Sequence, residues 1–563
     1  MKTLFKTIGD FIATENFAAL QDIKVEKPVF FNWVTEIFEE INVQETPDKT
    51  ALLWTDGEKT EHYTFKTLYN RYNQLLNFLR KKGIQQQDVI LTQMMLQRIN
   101  WVTHLAAIKG GYRLSPAASI LGVNDLKYRF EKIAPKVIIA DVDNVEKIDA
   151  AEQASNHKIP IKIILDGQRE GWYPLSVLDA EETEAPAAQT KPDDILFLFF
   201  TSGTTGMPKI VCHTHLSYPI GNLTTTAWIG LKKEDIHYNI SQPGWAKFAW
   251  SSLFAPWNVG ATIFAYHTKA RFNAQKTLSL IEKHKITTLC APPTVLRFFI
   301  QENLASYQFS LRQCVAAGEP LNPEIIEEWR EATGLYIRDG FGQTESTCLV
   351  ANYPNAKLKY GSMGKPTFLY DIIIADDDGR ELPINEEGNI CIKTDTDKIN
   401  GIFKEYMYDK ERQKQVFRND VYFTGDKAYK DEDGYIWFIG RDDDVIKASD
   451  YRIGPFEVES VLLEHPAVIE SAVVASPHEI KGFEVKAFVI IKDIQQATTS
   501  LADEIFQFSR QHLAPYKMPR KIEFVTELPK TISGKIKRVE LRALQAERIA
   551  KKIEVPLEFG YKS

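Results

Sequence analysis

Long apolar runs are missing. No stretch approaches the roughly 18 apolar residues of a membrane-crossing helix, so no membrane span is expected. Cysteine is scarce: Cys212, Cys290, Cys314, Cys348 and Cys391 form an odd, scattered set without a CxxC pair or a Cys/His cluster. Neither a disulfide framework nor a zinc site is suggested, and a reducing compartment fits best. Met1 to Leu20 carries Lys2 and Lys6 offset by Asp10 and Glu15, with no arginine and no long apolar core. It reads as an ordinary start with an amphipathic-helix pattern rather than a secretory or transit signal, and the cytoplasm is the expected location. Basic excess is missing too. With 68 Lys and Arg against 75 Asp and Glu, the net charge is −7 and the pI about 6.0, whereas a nucleic-acid binder is more often basic. The common nucleotide loop, GxxxxGK followed by Ser or Thr, is absent, as are internal repeats and long low-complexity tracts.

What is present describes a globular chain, 44% hydrophobic and 25% charged. Its 563 residues exceed one ordinary core, so two or more domains are expected. Between 65 and 180, helix-like segments alternate with short apolar runs: Val89-Ile90-Leu91, Val137 to Ala140, and Lys162 to Leu165. The rhythm continues with a helical stretch near 274–284 and a strand over Lys285 to Ala291. This βα alternation argues for α/β architecture with largely parallel sheets. Residues 180–194, polar and rich in Ala and Pro, read as a surface linker. Near 440 the texture changes to a compact α+β pattern: a helix opening at Gly454-Pro455, strands over Val468 to Ala475 and Glu484 to Ile491, a helix near 500–513, and a strand from Lys521 to Val525.

Five segments carry chemistry. Ile195 to Phe200 is a buried-strand run that opens into Thr201-Ser202-Gly203-Thr204-Thr205-Gly206-Met207-Pro208-Lys209. Backbone N–H groups, hydroxyls and one ammonium there could cradle a phosphate chain; an ordinary Gly/Thr turn is the plain alternative. Gly318-Glu319-Pro320 ends another strand, where α/β proteins bind ligands, or is simply a turn. Asp339-Gly340-Phe341-Gly342-Gln343-Thr344-Glu345 joins an acceptor for an exocyclic amine (Asp339), a flat face (Phe341), a phosphate donor (Thr344) and a carboxylate suited to Mg²⁺ (Glu345), though a solvated turn uses the same residues. Asp426 and Arg441 are candidates for the hydroxyls of a ribose, while the Asp433-Gly434 turn between them reads as a plain hairpin. Lys535, after Ser533-Gly534, lies on what should be a mobile loop, although a lysine in a basic tail is usually just solvated. His213 and His215 read as packing and capping residues at a helix start, not as ligands.

In this order, over roughly 195 to 540, the five segments resemble those of the adenylate-forming enzymes: acyl-CoA synthetases, luciferases and peptide-synthetase adenylation domains. Gln242-Pro243-Gly244-Trp245-Ala246-Lys247 and Tyr451 to Glu459 look like the medium-chain acyl-CoA synthetase branch, next to acetyl-CoA synthetase. The resemblance implies a large N-terminal AMP-binding domain (1–440) of mostly parallel α/β sheets plus a small barrel-like part. A hinge at 441–444 centred on Asp443 and a small mobile α+β C-terminal domain (445–563) complete it. It assigns adenine to Gly318, Glu319 and Pro320, ATP to the phosphate loop, Asp339 to Thr344, Asp426, Arg441 and Arg452, and Mg²⁺ to Glu345. Thr344, Glu345 and Lys535 become catalytic, with Lys535 stabilising charge as a carboxylate attacks the α-phosphate.

The implied reaction is activation of a carboxylic acid by ATP to acyl-AMP and pyrophosphate, followed by transfer to coenzyme A. Transfer to a carrier-protein pantetheine, acetate as the acid, and a non-catalytic nucleotide binder are the alternatives. The partners are then small molecules, with homo-oligomerisation left open. Acetate-specific relatives carry Trp where this chain has Gly342; the glycine is expected to leave room for a medium-chain, branched or aromatic acid, with Trp245 as another wall. The CoA path is assigned to Ser449, Asp450 and Tyr451, and Asp450 departs from the family glycine, adding bulk and negative charge where pantetheine passes.

Overall fold

The computed structural model describes residues 1–201, 207–396, 401–448, 451–478, 482–531 and 535–561. Two large sheets organise the chain. In the first, Val89–Gln93, Arg113–Ala117, Val137–Ala140 and Ile161–Ile164 run parallel, and Ile195–Thr201 joins them parallel to Arg113–Ala117. Each is a short run of buried residues, as a strand covered on both faces requires. The second is a nine-stranded sheet whose parallel core includes Ile236–Asn239, Thr288–Ala291, Gln313–Ala316 and Ile337–Gly342. Between the two lies the helix Ser217–Ile229, buried at every residue and touching strands of both sheets. Its hydroxyls bond inside the protein: Thr224 Oγ1 donates to Cys348 O at 2.7 Å and Thr226 Oγ1 to Asn222 O at 2.9 Å. A buried helix can carry threonines because these bonds replace water.

The barrel-like part is an antiparallel sheet of Ile372–Ala375, Gly388–Lys393, Phe417–Arg418, Val421–Lys430 and Ile436–Arg441. The expected hairpin turns at Gly434, with φ +83°. Beyond it come the short hairpin Ile446–Ala448/Tyr451–Ile453 and a four-stranded sheet of Val468–His478, Gly482–Ile491, Lys521–Phe524 and Glu558–Gly560. The helices Pro455–Leu463, Thr499–His512 and Arg538–Ala550 accompany them. Among the described residues no helix is long and apolar enough to cross a membrane. All five cysteines are buried free thiols.

Two local expectations change. The strand read from Lys285 begins only at Thr288, because Lys285 takes a left-handed conformation (φ +49°) that ends the preceding helix Ala274–Lys283. The 180–194 segment is irregular but fastened, since Asn77 Nδ2 donates to Glu182 O and Glu184 O, both at 2.8 Å, and Thr190 Oγ1 donates to Phe31 O at 2.6 Å.

The C-terminal sheet encloses a cation. Lys486 is fully buried and donates to Glu523 Oε2 and Gln545 Oε1, each at 2.6 Å, and to Glu558. It thereby ties two strands and the helix Arg538–Ala550 together. Removing one partner of a buried ion pair strands the other charge, at a cost of about 3–5 kcal/mol. Lys486→Met should therefore destabilise this sheet by about that amount, read as faster hydrogen exchange in 482–491 and 558–560; unchanged protection there would contradict the assignment.

Candidate active site

The phosphate-loop candidate sits on a hairpin. Ile195–Thr201 pairs antiparallel with Lys209–Thr214, so Thr201 and Lys209 face each other across the ladder. Thr201 Oγ1 is buried without a hydrogen-bond partner among the described residues. Ser202, Gly203, Thr204, Thr205 and Gly206 lie outside the described residues. The Lys209 ammonium meets the Glu345 carboxylate at 2.5 Å. Tyr406 completes the triad, with Lys209 Nζ donating to its hydroxyl at 3.0 Å and that hydroxyl donating to Glu345 Oε1 at 2.8 Å. Tyr406 is delivered by a two-residue strand, Glu405–Tyr406, added to the edge of the Lys209 strand, and Phe403 N donates to Glu345 O at 2.7 Å. Burial alone would raise the Glu345 pKa, but the Lys209 charge and the hydrogen bonds from Lys209 and Tyr406 outweigh it and hold it below the usual carboxylate value.

The second wall comes from neighbouring parallel strands of the other sheet. Gln313–Ala316 and Ile337–Gly342 pair with Ala316 beside Asp339, so Gly318-Glu319-Pro320 and the Asp339 to Glu345 run leave adjacent carboxyl ends. That is where such sheets bind ligands. Gly318 has φ +107° and faces open space, a conformation glycine adopts without a steric penalty. Glu319 Oε2 accepts from Thr294 Oγ1 at 2.7 Å. Arg338 anchors the strand, giving its buried guanidinium to the carbonyls of Trp228, Ile229 and Asn352 and to Gln313 Oε1. Beside it the Asp339 carboxyl is buried with the Gly340 N–H as its hydrogen-bond donor, at 2.8 Å, and desolvation pushes its pKa up to about 7. Phe341 packs 6.4 Å from Phe438 between ring centres.

Gln343 spans to the antiparallel sheet. Its Nε2 donates to Thr424 O at 2.9 Å and to Asp426, while Tyr422 OH donates to its Oε1 at 3.1 Å. Asp426 and Arg441 are ladder partners, and Arg441 Nε stands 3.5 Å from Asp426 Oδ1. Burial raises the Asp426 pKa, with the Arg441 charge opposing it. The Lys535 side chain is solvent-exposed and lies within electrostatic range of this place: surrounding protein lowers its pKa, Arg441 and Lys247 add repulsion, and Glu319 and Asp426 attract it.

Contacts and adjoining strand ends thus bring Lys209, Gly318, Glu319, Asp339, Phe341, Gln343, Thr344, Glu345, Asp426 and Arg441 into one neighbourhood, with Lys535 within electrostatic range. Asp443 stands 4.0 Å from Arg441 Nε. Ser449 and Asp450 lie outside the described residues, and Tyr451 and Arg452 are placed as the strand Tyr451–Ile453. Trp245 packs, half-buried, on the apolar cluster that holds Phe200.

Gly342 requires a correction. The space expected beside it is filled: a Cβ there would collide with the Thr347 carbonyl and meet Trp250 Cη2 at 2.8 Å. Glycine is needed for this close approach of Trp250 and the Thr347 carbonyl. His213 is a packing residue, as expected, but it sits at a strand end and does more. Its Nε2 donates to Thr344 O at 2.7 Å, and burial lowers its pKa to about 4, keeping it neutral. Tyr406, Trp250 and Tyr422 were not singled out from the sequence, since no local spacing marks a tyrosine that meets a carboxylate 61 positions away.

The AMP-binding enzyme family matches residues 15–407, and its C-terminal domain matches 457–535. The chain belongs to the AMP-binding enzymes. It is 46% identical over 523 residues to 4-hydroxybutyrate–CoA ligase 1 of Metallosphaera sedula, covering 92% of this chain and 91% of that one. It is 39% identical over 535 residues to the mitochondrial acyl-coenzyme A synthetase ACSM3 of Mus musculus, covering 93% and 92%. Among solved structures, the anthranilate CoA ligase AuaEII in complex with anthranoyl-AMP superposes with a TM-score of 0.85 at 31% identity, over 94% of this chain and 99% of that one.

Asp339 gives a stability signature. Its raised pKa means that the folded protein holds a proton the unfolded chain releases between the ordinary value, about 4, and about 7. Its contribution is therefore fully present at low pH and lost as pH rises through that window. Asp339→Asn should raise the melting temperature relative to the parent at pH 8 and leave it unchanged near pH 4; an equal shift at both pH values would disprove the assignment.

Proposed function

We propose that this chain is an AMP-forming acyl-CoA synthetase that converts a carboxylic acid and ATP to acyl-AMP and pyrophosphate, then passes the acyl group to coenzyme A. The carrying observation is the chain of contacts that joins Lys209, Glu345, Gln343, Asp426 and Arg441 at the strand ends, with Lys535 within electrostatic range of Asp426, Arg441 and Glu319. In the first step a carboxylate oxygen bonds to the α-phosphorus while the bond to the pyrophosphate oxygen breaks. Lys535 and Lys209 offset the charge that builds on the phosphate oxygens. Asp426 and Arg441 hold the ribose, and Asp339, Phe341 and Gly318-Glu319-Pro320 the base. Glu345 fits Mg²⁺ as a buried, ionised carboxylate beside the loop that takes the phosphates; the ion, when bound, neutralises phosphate charge. Five free thiols suit the cytoplasm.

Three consecutive aspartates support the swivel at Asp443. Asp442 accepts from Lys427 Nζ at 3.0 Å, on the antiparallel sheet. Asp444 is bound by Arg542 and lies 3.7 Å from Arg538, on the C-terminal helix. Asp443 lies between the two clamps, so rotation falls on its own torsions.

We assign the acid to the class larger than acetate, a four-carbon hydroxy acid included, with Trp250 and Trp245 as the indole walls and the Metallosphaera relative as support. Lys535→Ala should abolish acid-dependent pyrophosphate release and retain thioester formation from supplied butyryl-AMP; equal loss of both would sink the role of Lys535. In a panel of acetate, butyrate, 4-hydroxybutyrate, hexanoate and benzoate, acetate should be a poor substrate. Trp250→Ala should move the optimum toward the longer acids, and acetate as the best substrate of the parent would refute the pocket.

A further inference from the structure

A second ammonium stands at the same strand ends. The short helix Ala246–Ala249 begins directly after Trp245 and carries Lys247. Lys247 Nζ donates to Ala317 O at 2.9 Å, the residue before Gly318. Its backbone is held in turn, because Asn239 Nδ2 donates to Lys247 O at 3.3 Å and to Ser252 Oγ at 2.9 Å. The ammonium is half-buried and forms no ion pair among the described residues. Ala317 O engages one of its three donors, leaving two.

Two neighbouring acids are matched to cations, Glu345 to Lys209 and Asp426 to Arg441; Glu319 accepts from the neutral Thr294 hydroxyl and attracts Lys535. Lys247 and Lys535 are close enough to repel each other. Two ammonium groups near the same strand ends favour an anion beside them. The reaction proposed above brings two: the α-phosphate and the acid's own carboxylate.

We propose that Lys247 binds the carboxylate of the incoming acid through the two N–H groups that Ala317 leaves unused, and aims it at the α-phosphorus. This rests on the acyl-adenylate reading. As the carboxylate oxygen forms its bond to phosphorus and pyrophosphate departs with the electron pair, no proton moves and Lys247 remains an ammonium. The carboxylate charge disappears into the mixed anhydride, so the hold is strong before the step and weak after it. Lys247 therefore acts in the first half-reaction and not in the second.

The test uses the full chain with Lys247→Met and Lys247→Arg. ATP–pyrophosphate exchange is measured with butyrate and with 4-hydroxybutyrate, and thioester formation from supplied butyryl-AMP and CoA. Losing a charge-assisted hydrogen bond should raise the KM of both acids by about tenfold or more in Lys247→Met. The KM for ATP and the rate from butyryl-AMP should stay near parental, and Lys247→Arg should recover part of the loss. A parallel rise in the KM for ATP, an equal fall in thioester formation, or an effect confined to the hydroxy acid would overturn the assignment. So would unchanged acid KM values in Lys247→Met alongside normal parental exchange, which leaves the acyl-adenylate reading standing. Absence of acid-dependent exchange in the parent would remove that reading and the inference together.

Discussion

The ion pair between Lys209 and Glu345 is the constraint on which the site depends. It joins the hairpin of one large sheet to the strand end of the other, at 2.5 Å, with Tyr406 hydrogen-bonded to both side chains. Breaking a buried pair by deleting one member leaves an uncompensated charge, which costs about 3–5 kcal/mol. Geometry near the phosphate loop is thereby coupled to the register of two separate sheets. Thr344 is fixed as a by-product: its half-buried side chain belongs to a short turn, while its carbonyl is pinned from behind by a neutral His213.

Arg338 and Asp339 show two answers to burial on consecutive residues. The guanidinium has enough donors to satisfy itself on surrounding carbonyls, so it stays charged and fastens the strand. The carboxyl receives the Gly340 N–H and no balancing cation among the described residues, so desolvation dominates. Stability has been given up there, in a position suited to accepting an amine from a flat ring. A strand locked on one side and under-satisfied on the other is what ligand recognition requires.

Much of this was legible in residue order. Ile195 to Phe200 is apolar without alternation, which only a doubly covered strand explains, and the motifs at 318–320, 339–345, 426, 441 and 535 converge in space. Of the α+β pattern after 440, two helices and three strands appeared within a few residues of their observed ends, while the helix Arg538–Ala550, the strand Glu558–Gly560 and the short hairpin at 446–453 did not. What was not legible depends on contacts across the fold. Tyr406 reaches Glu345 through an edge strand two residues long, too short to leave a periodic signal. Lys247 entered only as the last residue of the Gln242 to Lys247 segment, and its hydrogen bond to Ala317 O, 70 positions away, leaves no local mark. Gly342 was read as room, whereas the emptiness of a glycine is defined by what packs on it, and here that is Trp250 and the Thr347 carbonyl.

Arg538 follows Lys535 by three residues, binds buried Glu459 through two nitrogens and leans on Asp444. The helix Arg538–Ala550 and the far end of the proposed pivot are therefore fastened together. On the function proposed above, a turn at residue 443 would carry that helix, and Lys535 ahead of it, as one piece, so that the two half-reactions would take turns rather than overlap.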